Sequence, residues 1–135
     1  MLIHRRTFAG RPEEVCKARE WTRKLLADTS CVDDAALIVT ELGANAVTHT
    51  TGSAFRVTVT RAAEAVTLSV TDTGATTTHP CITHPGAEAT HGRGLEIVAT
   101  LADDVKVHHT AHGHTVTARL PLPAPLPTAR EAQPC

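Results

Sequence analysis

Two oxygen-bearing side chains, Glu41 and Asn45, stand four residues apart in the segment ELGANAV. A spacing of four puts both on one face of a helix. A carboxylate and an amide carbonyl are hard oxygen donors, suited to a magnesium ion that also holds phosphates, and the carboxylate can accept a proton. The plainer alternative is the polar edge of an amphipathic helix. Asp72 shares the alternation of Val66, Leu68 and Val70, so it points to the face expected to be buried, where a carboxylate needs a partner. The exocyclic amine of adenine is such a partner, and Gly74 permits close backbone approach to a ring; the alternative is turn chemistry after a strand. Gly92-Arg93-Gly94 is placed immediately before a helix that begins near Leu95. Free backbone N–H groups and the positive end of the helix dipole suit a phosphate chain there, with Arg93 as a charged clamp.

These residues need elements to hold them. Residues 2–8 have strand character, and Pro12 with Glu13 and Glu14 opens a first helix that runs to about Ala27. Ser30 caps a second helix in which Ala35, Ile38, Val39, Leu42 and Ala46 recur at helical spacing, to about Thr48. The period then changes to two. Phe55, Val57 and Val59 alternate with polar residues, as do Val66, Leu68 and Val70, which predicts a hairpin through residues 62–64. Residues 73–93 carry glycines, prolines and threonines without periodicity and are expected to form a lid. Leu95, Val98, Ala99 and Ala102 restore helical spacing, and residues 104–109 and 114–120 read as two closing strands around Gly113. From Pro121 the alternate prolines favour an extended, solvated tail, so residues 1–120 are read as one domain and 121–135 as a disordered tail.

Composition narrows the classes. A chain of 135 residues fits one domain, and its 2% aromatic content leaves the core to Ala, Val, Leu and Ile. The net charge of −1, with no basic block, argues against nucleic acid as a partner. No apolar stretch is long enough to span a membrane and the amino terminus lacks a signal-peptide core, so a cytoplasmic location is expected. Cys16, Cys31, Cys81 and Cys135 form no C-x-x-C pair and are read as free thiols.

The segments ELGANAVTH, VTDTG and GRGLEIVATLAD, in this order and separated by a hairpin and a loop, resemble the three nucleotide-binding boxes of the GHKL ATPases. Within that group the chain is most similar to the short anti-sigma-factor serine kinases, over about residues 2–120. The resemblance implies a Bergerat-type α/β two-layer (α+β) sandwich, with a mixed, mostly antiparallel sheet covered on one face by three helices and ATP between the second helix and the lid. It further implies that Asn45 binds Mg2+, that Glu41 is the catalytic base, and that Asp72 reads adenine. Gly74, Gly92, Arg93, Gly94 and Leu95 would line the nucleotide, and Thr115 would share the adenine contact.

The implied function is a regulator that binds a sigma factor and phosphorylates a serine or threonine of a small anti-anti-sigma antagonist, as a homodimer. The chain also departs from the pattern. Relatives often carry a tryptophan soon after the third helix and a lysine before the last-strand threonine, where this sequence reads DDVKVHHT and GHT. Loss of a fixed charge can lower phosphoryl transfer while leaving nucleotide binding intact. A catalytically silent ATP-sensing module is therefore the second reading, and a detached histidine-kinase catalytic domain the third. His108, His109, His112 and His114 are close in sequence, yet alternate strand residues point to opposite faces, so no metal site is expected from them.

Overall fold

The computed structural model of the chain describes residues 1–49, 54–72, 89–110 and 113–123. Strand β1 (Leu2–Ala9) leads into helices α1 (Pro12–Leu25) and α2 (Val32–His49), followed by the hairpin strands β2 (Ala54–Arg61) and β3 (Ala65–Asp72). Helix α3 (Ala89–Leu101) and strands β4 (Asp104–Thr110) and β5 (Gly113–Pro121) complete the order expected from the sequence. Pro12 occupies the start of α1, with Glu13 and Glu14 in the first turn and Arg23 and Lys24 in the last, a distribution that complements the helix dipole. Helix α2 begins at Val32, and the first turn is closed by the Ala35 N–H donating to Cys31 O, one residue beyond the Ser30 cap expected.

The sheet order is β1-β2-β3-β5-β4. Every described pairing is antiparallel, so the sheet is not mixed. Strands β3 and β5 are joined across a long excursion through α3 and β4, and an antiparallel pair results because β4 reverses the chain before β5 returns. Alternation sorts the two faces. Phe55, Val57, Val59, Val66, Leu68, Val70, Val116, Ala118 and Leu120 are buried beneath the helices. Thr58, Thr60, Thr67, Ser69, Thr71, Thr115 and Thr117 take the opposite, half-exposed face, where Ser69 and Thr117 (3.0 Å) and Thr71 and Thr115 (2.9 Å) hydrogen-bond across the β3–β5 pair.

The helices supply Val15, Ala18, Ala35, Ile38, Val39, Leu42, Ala46, Leu95 and Val98 to the core, the α1–α2 connection adds Leu26 and Cys31, and strand side chains make up the rest. All three large aromatic residues gather at one corner: Phe8 stacks on Phe55 at 5.5 Å and meets Trp21 edge-on at 5.9 Å. The rest of the interior is aliphatic, as the composition requires. At the far end of the hairpin, Arg61 grips Asp28 through two hydrogen bonds of 2.9 and 2.6 Å and donates a third to Leu25 O. Strand β5 continues through Pro121, and the Leu122 N–H donates to Glu64 O, so attachment to the sheet extends two residues past position 120. Residues 124–135, the expected tail, lie outside the described residues.

Candidate functional site

Helix α2 lies over the centre of the sheet because its apolar stripe, Ala35, Ile38, Val39, Leu42 and Ala46, fits the inner faces of β2, β3 and β5. Glu41 and Asn45 sit beside that stripe, half-buried, and face α3. At Gly94 the two helices come closest. A β-carbon there would stand 3.0 Å from Glu41 Oε2 and 3.6 Å from both Nδ2 and Oδ1 of Asn45. An added side chain would crowd the end of the Glu41 side chain, which would have to shift by a few tenths of an ångström, and would make ordinary contact with Asn45.

This corrects the reading of Gly92-Arg93-Gly94 as a loop that precedes a helix. Helix α3 starts at Ala89, so positions 92–94 are helical, and the open N–H groups belong to the first turn, up to about Gly92. The Gly94 N–H is engaged in the helix ladder. Glycine inside a helix costs about 1 kcal/mol relative to alanine, a penalty compensated here by interhelical packing. The residue that marks loops in a sequence is a contact residue in this structure. The expected lid shortens accordingly: residues 73–88, Gly74 among them, and the side chain of Arg93 lie outside the described residues. Leu95 is buried in the core, so its contribution is to hold α3 against the sheet.

Asp72 ends β3 on the inner face, as its parity predicts, and is 5% exposed. Its carboxyl is pushed above the ordinary carboxylate range by burial, which outweighs the opposing effects of the His114 N–H and of the nearby imidazoles of His114 and His109. The His114 backbone N–H donates to Asp72 Oδ1 at 3.2 Å, and His114 Nδ1 lies 3.7 Å from Asp72 Oδ2. That contact is possible because Gly113 has a φ of +141°, and a β-carbon at this position would collide with both the carboxylate and the carbonyl of Asp72. Asn45, Asp72 and His114, with Leu42, Ala46, Val70 and Val116, line a single small cavity of about 10 Å3.

The position opposite Asp72 is therefore His114, not Thr115. On β5 the inner-face residues are His114, Val116, Ala118 and Leu120; Thr115 belongs to the other face, where it bonds Thr71. A nucleotide between α2 and the sheet cannot be reached from there, so the assignment of Thr115 to the adenine contact is withdrawn on strand alternation alone. His114 was missed as a site residue although its parity with Val116, Ala118 and Leu120 was legible. The histidine cluster is divided as expected: His109 and His114 stack across the β4–β5 pair at 4.4 Å, while His108 is paired with Thr115. His112 lies outside the described residues, and among those described no group of three metal-ligating side chains exists. Of the cysteines, Cys16 and Cys31 are free thiols, while Cys81 and Cys135 lie outside the described residues.

The donor set of Glu41 and Asn45 is chemically right for magnesium: two neighbouring hard oxygens, half-buried and open to further ligands from phosphate and water. Asp72 is right for an amine donor on a flat base. A helix-covered antiparallel sheet that holds an acid and an amide on its central helix, a buried aspartate at a strand end and a glycine-faced third helix defines an ATPase-type nucleotide-binding domain. The family profile described as histidine kinase-like ATPase domain matches residues 8–120, and the chain belongs to that family. Among solved structures it is similar to the RsbU and RsbW domains of Rv1364c from Mycobacterium tuberculosis, with a TM-score of 0.70 and 22% identity. The match covers 92% of this chain and 34% of that one, so this chain spans about a third of its length. No curated protein sequence matches the chain. No described helix is long and apolar enough to cross a membrane.

Proposed function

We propose that the protein is an ATP-binding regulator of the anti-sigma-factor type, which binds a sigma factor and transfers phosphate to a serine or threonine of a small anti-anti-sigma antagonist. The observation that carries the reading is the meeting of three sequence-distant features at one place: Glu41 and Asn45 of α2, Gly94 of α3 and Asp72 of β3. The sequence resemblance to anti-sigma-factor kinases supports it, as does the structural likeness to the RsbU and RsbW domains of Rv1364c. The regulator acts as a homodimer in the cytoplasm.

In this reading Asp72 accepts a hydrogen bond from the adenine amine and Asn45 contributes its amide oxygen to Mg2+. The ion supplies charge neutralisation of the phosphates when bound. Glu41 accepts the proton of the attacking hydroxyl. As that O–H bond breaks, the hydroxyl oxygen bonds the γ-phosphorus, the bond to the β,γ-bridging oxygen breaks and ADP leaves. Removal of a positioned general base typically costs 10²- to 10⁴-fold in rate.

The test is transfer of label from Mg-ATP to a panel of serine-containing antagonist proteins. Glu41→Gln is expected to abolish transfer while nucleotide still binds. Transfer that persists in Glu41→Gln removes the base assignment, and a chain that binds no ATP removes the whole reading. A second reading, nucleotide-dependent partner binding without transfer, is favoured by one observation: a buried histidine stands where relatives carry a lysine. Binding with no transfer to any antagonist selects it.

A further inference from the structure

The cavity beside Asp72 has room for about one water molecule. As the described residues enclose it, this cavity is too small for a purine. One wall of it is the side chain of His114, 2% exposed, held between the Asp72 carboxylate on one side and the ring of His109 on the other. The imidazole resembles the ligand it excludes. It is a flat heteroaromatic ring, the same five-membered ring that forms half of a purine, with an N–H donor to offer a carboxylate. It stacks at 4.4 Å on a second aromatic ring, as a base would. The backbone contacts around it are fixed independently, because the His114 N–H is bonded to Asp72 Oδ1 and Gly113 is locked against Asp72 by its close approach. The peptide of His114 therefore stays in place when its side chain turns.

We propose that His114 is an internal occupant of the base subsite, a specificity-determining residue that competes with adenine for Asp72. Nucleotide enters only when the imidazole rotates away, so the affinity measured for ATP is the intrinsic affinity multiplied by the fraction of molecules with His114 displaced. A flat ring that offers a donor to Asp72 displaces it; a nucleotide with a carbonyl at that position presents an acceptor to the carboxylate and does not. The inference rests on the ATP-binding reading above and gives it a regulatory threshold: the domain is held empty until nucleotide concentration is high enough to evict its own side chain.

The test is binding of Mg-ATP to the full chain and to His114→Thr and His114→Ser, both short side chains a strand accepts, with thermal unfolding to confirm that the variants fold. Both variants are expected to bind at least ten-fold more tightly. In the unaltered protein, the nuclear Overhauser contacts between the stacked His109 and His114 rings are expected to vanish when Mg-ATP is added, whereas a histidine that merely lines the site would keep them. Equal or weaker binding by folded variants, or His109–His114 ring contacts that persist at saturating nucleotide, overturns the proposal and leaves the ATP reading intact. No binding by any of the three proteins overturns the ATP reading itself, and this inference falls with it.

Discussion

Two carboxylates at opposite ends of the hairpin show how differently the same side chain is used. Asp28 is exposed, and its carboxyl is held below the ordinary range chiefly by hydrogen bonds from Arg61. Asp72, at the other end of the β2–β3 pair, is buried and pushed upward by that burial. Around Asp28 the chain closes an aliphatic end: Leu26, Val66 and Leu120 are buried, and the Arg61–Asp28 pair sits outside them. Around Asp72 it does the reverse, placing a carboxylate, an imidazole and an amide on the inside. A fold gains nothing by burying Asp72 where solvent would have hydrated it. The polar end of the core is a cost that a binding site explains and packing does not.

That division can be broken from either end. Leu120→Ala removes a buried side chain from the aliphatic end and is expected to lower stability most, by about 2–5 kcal/mol in urea unfolding. Nucleotide affinity of the remaining folded fraction should not change, and an affinity loss would mean the two ends are not separable. Gly113→Ala comes next. It forces a side chain into a backbone conformation that costs about 1–3 kcal/mol and drives a methyl group into Asp72. Here the loss of stability is expected together with loss of nucleotide binding, measured on the same sample, because the residue positions β5 against the site.

Much of this arrangement was legible in the residues, and the exceptions have physical causes. Alternation along β3 and the helical spacing of Ile38, Leu42 and Ala46 suffice to bury Asp72 and to set Glu41 and Asn45 beside the core stripe. Position 114 is legible by the same parity, since it alternates with Thr115 on the side of Val116, Ala118 and Leu120. Gly94 was not legible. A glycine reads locally as a breaker, whereas its reason here is the distance between α2 and α3, a tertiary quantity with no local signature. The expected partly parallel pairing failed likewise, since the direction of β5 against β3 depends on how the chain returns through β4 and not on strand composition.

Asp72→Asn is expected to act in the opposite sense to the first two substitutions. A carboxyl with a raised folded-state pKa destabilises the fold once ionised. The penalty is absent below the unfolded value and fully present above the folded one. The amide keeps an oxygen for the His114 N–H and carries no charge. Stability should therefore rise by about 1 kcal/mol at pH 7, with the gain vanishing below about pH 3, while nucleotide binding is lost. A neutral change in stability at pH 7 would show that Asp72 is already satisfied without a ligand.

The smallest effect belongs to Asp28→Asn, and its sign reverses again. A carboxyl whose folded-state pKa is lowered stabilises the fold above the unfolded value and loses that contribution as pH falls through the folded one. The Arg61 pair lies at the surface, where solvent and salt screen it, so the melting temperature at pH 7 should fall by at most about 3 °C. Raising the salt concentration should shrink even that difference, and acidification should erase it. Thermal scans of Asp28→Asn and Asp72→Asn across the acid range should thus diverge in opposite directions from a common low-pH limit. Two traces that moved the same way would mean that burial does not separate the two ends of the hairpin, and the polar interior around His114 would then need another cause.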